Sequence, residues 1–258
     1  MELSVVMPSF KRADLLQYGL QSWALQNIKS SYEIIVLNDG IHDETEKVCQ
    51  MYQSRLPIRY VFTGQRNAQG IVWRTPGFAI NIGAQLATGK NILITCPEIY
   101  VLNDCVQYMV DSLTDDPRKL VITDGKDDRG ATFLNFVKTG YSNVNMLHHY
   151  EMGAKNTHPL NTEFPFFMGM NRKQFMDIGG YDEDFIGYCF DDADIVSRLR
   201  KAGCYTHKVA AKIIHLYHPR LRYGLEEVKD KWKYNEKLYL DRINQVERNV
   251  GRPWGVYV

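Results

Sequence analysis

Three groups of polar residues in this 258-residue chain have types and spacings that can do chemistry. The first joins two turns: Pro8-Ser9-Phe10-Lys11-Arg12 closes one apolar run, and Asn38-Asp39-Gly40 closes the next. An Asp on such a turn accepts a base N–H or a ribose hydroxyl, although Asp-Gly also serves as a plain Asx-turn. The second group is Asp191-Asp192-Ala193-Asp194, which opens a helical pattern that stops at Gly203. Carboxylates in a first helical turn gain ~0.3–1 kcal/mol each from the helix dipole. One is enough for capping, and three in four positions repel one another. A carboxylate beside a reacting centre takes a proton from an attacking hydroxyl, which is worth ~10²–10⁴ in rate. The third group is His215-Leu216-Tyr217-His218, with Glu98 far upstream. Two imidazoles and a carboxylate are a ligand set for a divalent ion such as Mn2+, although histidine pairs also serve packing and hydrogen bonding.

These residues lie at the ends of periodic segments. Residues 3–8, 33–37, 58–62, 91–95 and 120–123 read as strands, and 12–26, 43–53, 78–87 and 104–113 read as the helices between them. The alternation predicts an α/β fold, a mostly parallel sheet covered on both faces. Such sheets bind ligands outside the carboxyl ends of their strands, which points to Pro8, Asn38, Asp39 and Thr95 to Glu98. Beyond residue 124 the pattern loosens. An irregular segment over 125–165, with a hairpin around 132–138, is expected to line an acceptor site. Residues 164–170 read as a buried strand, 172–178 as a short helix closed by Gly179-Gly180, and 191–202 as a helix. Residues 210–215 read as a strand and 225–249 as a long amphipathic helix.

The charge balance, 31 basic against 30 acidic residues, excludes a uniformly basic nucleic-acid coat or an acidic tail. Locally the balance differs: 198–252 hold 14 basic and 6 acidic residues. That stretch is a candidate face for an anionic membrane, a charged glycan or nucleic acid, or else the solvated side of a helix. Five cysteines without a C-x-x-C pair suggest a reduced, cytoplasmic setting, at most peripheral at a membrane surface. No apolar run reaches the ~18–20 residues of a membrane span, and no secretory leader is expected. Neither G-x-G-x-x-G after the first strand nor G-x-x-x-x-G-K-[ST] occurs, which argues against a dinucleotide enzyme or a P-loop NTPase.

Taken in order, these pieces resemble the family 2 glycosyltransferases, nucleotide-sugar-dependent enzymes of the GT-A fold. Ser4-Val5-Val6-Met7-Pro8-Ser9-Phe10-Lys11-Arg12 is similar to that family's first strand and nucleotide-facing loop. Glu33-Ile34-Ile35-Val36-Leu37-Asn38-Asp39-Gly40 is similar to its second strand, whose last Asp holds uracil, a role the resemblance implies for Asp39. Asn81-Ile82-Gly83 before Ala87-Thr88-Gly89 resembles the helix that precedes the metal strand. Gly179 through Gly203 resembles the acceptor-side segment whose acidic pair supplies the base, which implies Asp192 with Asp191 beside it. Such a base needs no raised pKa, because at ~3.9 it is already ionised at neutral pH. Ile214-His215-Leu216-Tyr217-His218 resembles the strand whose His completes the metal site, with His215 the first choice and His218 the alternative.

One departure matters. The family's Asp-x-Asp is here Cys96-Pro97-Glu98, leaving Glu98 as the hard oxygen ligand and Cys96 as a small, soft, apolar-packing residue. The family's usual Arg before Asn-x-Gly is Ile80, with Arg66 or Arg74 as a compensating charge. The resemblance implies one GT-A domain over 1–258: a nucleotide-sugar half (1–123), an acceptor and metal half (124–223) and a C-terminal helical extension (224–258). It implies an inverting hexosyl or N-acetylhexosaminyl transfer from a UDP-sugar to a glycan hydroxyl, with Mn2+, or alternatively Mg2+, as cofactor. Donor contacts would come from Pro8, Ser9, Arg12, Asp39, Arg66, Arg74 and Asn81. The rivals are a non-catalytic nucleotide-sugar-binding protein of the same fold and a nucleotidyltransferase. The second would want a basic Gly-rich loop near the first strand, and there is none.

Overall fold

Runs of Val, Ile and Leu with apolar residues on both faces can only be satisfied at the middle of a sheet covered on two sides. Strands β1 (Leu3–Ser9), β2 (Tyr32–Asn38) and β4 (Asn91–Thr95) meet that condition and are almost wholly buried. The computed structural model describes residues 1–65, 75–140, 149, 157–187, 189–219 and 226–256. The remaining strands are β3 (Ile58–Phe62), β5 (Ile99–Val101), β6 (Lys119–Asp127), β7 (His158–Pro159), β8 (Phe167–Asn171) and β9 (Tyr205–His215). They form one sheet in the order β3-β2-β1-β4-β8-β6-β9-β5, with β7 paired to β6. Strands β1 to β4 run parallel, β8 runs against β4 and β6, and β9 returns parallel to β6.

Successive residues of β1 point to opposite faces and so feed two cores. Leu3, Val5 and Met7 pack with Leu16, Leu20 and Trp23 of α1 (Ala13–Trp23), with α2 (Thr45–Tyr52), and with Met109 and Leu113 of α4 (Cys105–Asp115). Val6 packs with Ile80 and Ile82 of α3 (Gly77–Leu86), Phe175 of α6 (Arg172–Asp177), and Ile195 and Leu199 of α7 (Asp191–Lys201). The chain leaves β1 towards β2 and β3 and then returns to the other side of β1 as β4. The carboxyl ends of β1 and β4 therefore flank a topological switch point, where open α/β sheets form a crevice.

Three segments differ from their sequence reading. Residues 132–138 form helix α5 (Thr132–Lys138), not a hairpin. Asp128 Oδ2 accepts the Leu134 backbone N–H at 2.9 Å, and Phe133, Leu134 and Val137 pack at helical spacing against Tyr100 and Leu216. Part of the irregular 125–165 segment lies outside the described residues. The C-terminal helix α8 (Glu226–Asp241) has 16 residues, and the expected continuation to 249 is not helical. There the chain turns back so that Asn249, at φ 57, donates to the carbonyls of Gly179 and Tyr181. Strands β6 and β9 also extend further than the apolar pattern suggests, which sets Asp127 in register with His215. Among the described residues no helix is long and apolar enough to cross a membrane.

Candidate active site

A cavity of about 550 Å³ opens at the switch point. Pro8 and Arg12 reach it from the end of β1, Cys96 and Glu98 from the end of β4, Asp191 and Asp192 from the start of α7, and His215 and His218 from the end of β9. Phe164, Phe166, Phe190 and Trp232 add aromatic walls.

The side chains of Glu98, His215 and His218 converge, each offering a ligand atom within 4.8 Å of the others. His215 Nε2 and His218 Nε2 lie 3.7 Å and 3.6 Å from Glu98 Oε1. His215 Nδ1 is 3.2 Å from Asp127 Oδ1, so donating there leaves Nε2 as an acceptor aimed at Glu98. Asp127 in turn accepts from Arg129 at 2.9 Å. His218 Nδ1 has the Pro219 carbonyl at 3.0 Å and Arg12 Nη2 at 3.2 Å, and donation to the carbonyl likewise frees its Nε2. Burial raises the Glu98 pKa, but His215, His218 and Arg12 outweigh it and hold the carboxyl down to about 2. Glu98 Oε2 is buried without a hydrogen-bond partner. A carboxylate that is ionised at neutral pH and has an orphaned oxygen, beside two imidazoles that offer lone pairs when neutral, fits a divalent cation. The second-layer Asp127 contact is the usual way a ligating His is oriented.

Cys96 stands apart from this cluster. Burial, then the charges of Glu98 and Asp192, push its thiol well above the usual range, so it stays protonated. It packs against the core of β1 and α1, as its apolar character suggests.

The acidic start of α7 resolves into three different residues. Asp194 turns inward to Arg198 and Arg248. Asp191 is buried, its Oδ2 is unpartnered, and desolvation followed by the Asp192 charge pushes its pKa well up. Asp192 is half-buried, and its Oδ1 accepts from the Tyr181 hydroxyl at 2.9 Å. Burial raises its pKa to about 6, against the lowering effect of that hydrogen bond. A base needs no raised pKa to be ionised at neutral pH, but a value nearer neutrality would make Asp192 a better proton acceptor. The backbone reaches this helix through Cys189 and Phe190, both at positive φ (68° and 72°), which aims the first turn into the cavity.

The other sequence candidates separate. Asp39 is buried at the end of β2, where Oδ1 accepts from Thr63 Oγ1 at 2.8 Å and its N–H donates to Ser9 O at 2.8 Å. Ser9 is buried beside Thr45. Asn81 does not line the cavity: its Nδ2 donates to Tyr181 O and Glu183 Oε1 at 2.9 and 3.0 Å, and its Oδ1 accepts from Tyr181 N at 2.8 Å. Ser9 and Asp39 lie outside the cavity lining as well, and the amide of Asn81 fixes Tyr181. Arg66 and Arg74 lie outside the described residues. Sequence reasoning missed Asp127 and Tyr181, whose partners are distant in the chain. The basic excess of 198–252 is also smaller than its count. Among the described residues, the cations in ion pairs include Arg198, Arg200, Lys208, Lys237, Arg242, Arg248 and Arg252.

Known proteins share this architecture. A chondroitin synthase of Escherichia coli is 26% identical over 244 residues, 84% of this chain and 35% of its own length. A hyaluronan synthase of Pasteurella multocida is 26% identical over 79% of this chain and 23% of its own length. The chain thus spans about a third or less of these curated relatives. Among solved structures, S. aureus TarS 1-349 in complex with UDP has a TM-score of 0.63 at 16% identity, over 95% of this chain and 66% of that one. The mannosyltransferase PcManGT from Pyrobaculum calidifontis, in complex with GDP-Man and Mn2+, gives 0.58 at 15% identity, over 93% and 61%. These likenesses show the GT-A fold. The family described as "N-terminal domain of galactosyltransferase" matches residues 151–220. The match to "Glycosyl transferase family 2" runs over residues 4–179, from β1 to the turn that precedes Tyr181, and the chain belongs to that family.

Proposed function

We propose that the chain is an inverting, metal-dependent glycosyltransferase that moves a hexosyl or N-acetylhexosaminyl unit from a UDP-sugar to a hydroxyl of a glycan. The observation that carries this reading is that Asp192 lines the same cavity as the Glu98, His215 and His218 cluster. Asp192 takes the proton of the acceptor hydroxyl, which attacks the anomeric carbon on the face opposite the departing diphosphate, so the configuration inverts. Glu98, His215 and His218 would hold the divalent ion, which when bound would supply positive charge at the leaving oxygen. Two imidazole donors favour Mn2+ over Mg2+, which prefers an all-oxygen shell. Arg12, 4.0 Å from Glu98 Oε1, adds a fixed cation at the diphosphate. Pro8, Ser9 and Asp39 cradle the nucleoside, and residues 1–123 act as the donor half against an acceptor and metal half over 124–223.

The UDP and the GDP-Man with Mn2+ named for the two structural relatives, and the polymer synthases among the sequence relatives, support this reading. Five free cysteines suit action in the reducing cytoplasm. The test is a calorimetric titration of UDP with and without Mn2+, followed by assay of UDP release from UDP-sugars. Metal-dependent binding and release of UDP are expected. No UDP binding in either condition, or release of pyrophosphate instead of UDP, overturns the proposal.

A further inference from the structure

We infer that Asn235 is a positioning residue for the proposed base: from the middle of α8 it fixes the segment that aims Asp192 into the cavity. The inference rests on the glycosyltransferase reading, in which Asp192 takes the acceptor proton, and adds to it a residue that does not itself line the cavity.

The segment before α7 needs holding. The helix opens at Asp191 directly after Phe190, whose side chain supplies no capping hydrogen bond. Cys189 and Phe190 both have left-handed backbones, at φ 68° and 72°. Residues with a side chain stay in that region only where the surroundings over-determine it. The Phe190 carbonyl accepts the Asp194 N–H at 2.8 Å, so the conformation of this residue sets where the first turn begins and which way Asp192 faces.

Helix α8 supplies the hold. Asn235 is fully buried. Its Oδ1 accepts the Ile186 N–H at 3.0 Å, and its Nδ2 donates to the carbonyls of Ile186 at 2.7 Å and Cys189 at 3.0 Å. One amide thus ties both ends of the peptide chain that turns into α7. Trp232 and Tyr239, on either side of Asn235 along α8, flank the Phe190 ring at centroid distances of 5.5 and 5.6 Å. Gly187, at φ 67°, approaches the same helix so closely that an added Cβ would stand 2.5 Å from Lys231 Cδ. Lys231, Trp232, Asn235 and Tyr239 recur at helical spacing, so one face of α8 meets the segment.

The division of labour follows from the kinds of contact. Apolar packing on Phe190 is non-directional, whereas hydrogen bonds to main-chain groups fix orientation. Burying an amide costs free energy unless its hydrogen bonds are made, and here they are made to the backbone that needs orienting. Tyr181 holds the Asp192 carboxylate from one side, and Asn235 holds the backbone that delivers it from the other.

The test is a double-mutant cycle on the full chain. UDP release from UDP-glucose and UDP-N-acetylglucosamine is measured with Mn2+, water standing in for the acceptor hydroxyl. Each kcat is referred to the concentration of UDP-binding sites titrated in the same sample, so unfolded protein does not count. Asn235→Ala is expected to lower kcat about tenfold or more, since misplacing a reacting group by ~1 Å costs up to ~10²-fold, while UDP affinity stays within about twofold. In an Asp192→Asn background the same substitution should cost less than about twofold, because a residue that acts through Asp192 has nothing left to position. Should Asn235→Ala fail to fold, Gly187→Ala disturbs the same contact from the segment side and must give the same pattern. Equal losses in both backgrounds, no loss in either, or a loss confined to UDP affinity overturns the inference. The two readings fail separately. Asp192→Asn with wild-type turnover, or a wild type that releases UDP from neither sugar, removes the function reading and the inference with it. A slow Asp192→Asn with equal losses removes only the role of Asn235.

Discussion

The hydroxyl of Tyr181 donates a 2.9 Å hydrogen bond to Asp192 Oδ1. Tyr181 is fully buried, and Asn81 grips its backbone in both directions, through Tyr181 N at 2.8 Å and Tyr181 O at 2.9 Å. A residue on α3 thereby holds a phenol that holds the carboxylate at the start of α7. Burial pushes Asp192 up to about 6 and the phenol opposes that push. A base works ionised, so the rate should fall about tenfold per pH unit below that value. Stability runs the other way. The folded-state pKa lies above the ordinary one, so this carboxyl destabilises the fold increasingly as pH rises from about 4 towards 6. Tyr181→Phe removes the opposing hydrogen bond and should move the acidic limb of kcat upward by about one pH unit. A limb that stays in place shows that the phenol does not tune this base.

Asp191 and Asp192 should respond differently to the same chemical change. Asp192→Asn removes the proton acceptor and should lower kcat by at least ~10² with donor KM little altered. Asp191 is buried, carries an unpartnered oxygen and is pushed well up in pKa, so its favoured form is the neutral acid. An amide is nearly isosteric with that acid. Asp191→Asn should therefore cost less than about tenfold in kcat. Steady-state kinetics of the two variants side by side decide the assignment, and a reversal of the order would move the base to Asp191.

The apolar runs of β1, β2 and β4 and the acidic first turn of α7 were legible because burial and periodicity act over a few neighbouring residues. Glu98 and His215 were legible because they end such runs. Residues 132–138 were not: Phe133, Leu134, Phe136 and Val137 suit either period, and a hydrogen bond from Leu134 to the side chain of Asp128 selects the helix. Asp127 left no local signal, because its contact with His215 exists only through the parallel register of β6 and β9. Asn81 stood at the right position for the family but turns to Tyr181 instead of the cavity. The use of the basic excess near the C-terminus was not legible for a similar reason, since Arg198, Arg242, Arg248 and Arg252 meet Asp182, Asp184 and Asp194 from earlier in the chain.

The Glu98, His215 and His218 cluster predicts a graded series if it holds the divalent ion of the proposed function. His215→Ala and His218→Ala each remove a nitrogen whose Nε2 lies within 3.7 Å of Glu98 Oε1, and both should abolish the Mn2+-dependent part of UDP binding. Asp127→Asn keeps all three ligands but weakens the contact that orients His215 at 3.2 Å. Loss of such outer partners typically costs 10–100-fold in metal affinity, so Mn2+ titrations should show an intermediate loss of about that size. Wild-type affinity in Asp127→Asn would leave His215 without need of an orienting carboxylate.

Behind α7 lies a buried ionic network with a stability prediction of its own. Arg248 bonds Asp194 at 2.8 Å and forms an ion pair without a hydrogen bond to Asp182 at 2.9 Å, and Arg198 bonds Asp194 at 2.6 Å, all with side chains at most 2% exposed. Removing one member of such a network strands charge in the interior, which costs about 3–5 kcal/mol when no partner remains. Asp194 keeps Arg198, and Asp182 keeps Arg242 at 2.7 Å, so Arg248→Met should fall at or just below the low end of that range. Arg252, 41% exposed and paired with Asp184 at 2.6 Å, belongs to the solvent-screened class, where pairs are worth ~0–1 kcal/mol. Urea unfolding at constant m should place the Arg248→Met midpoint well below that of Arg252→Met. Equal midpoints would mean that the remaining arginines satisfy both aspartates and that Arg248 fixes the C-terminal turn only through its backbone bond to Ile178 at 3.0 Å.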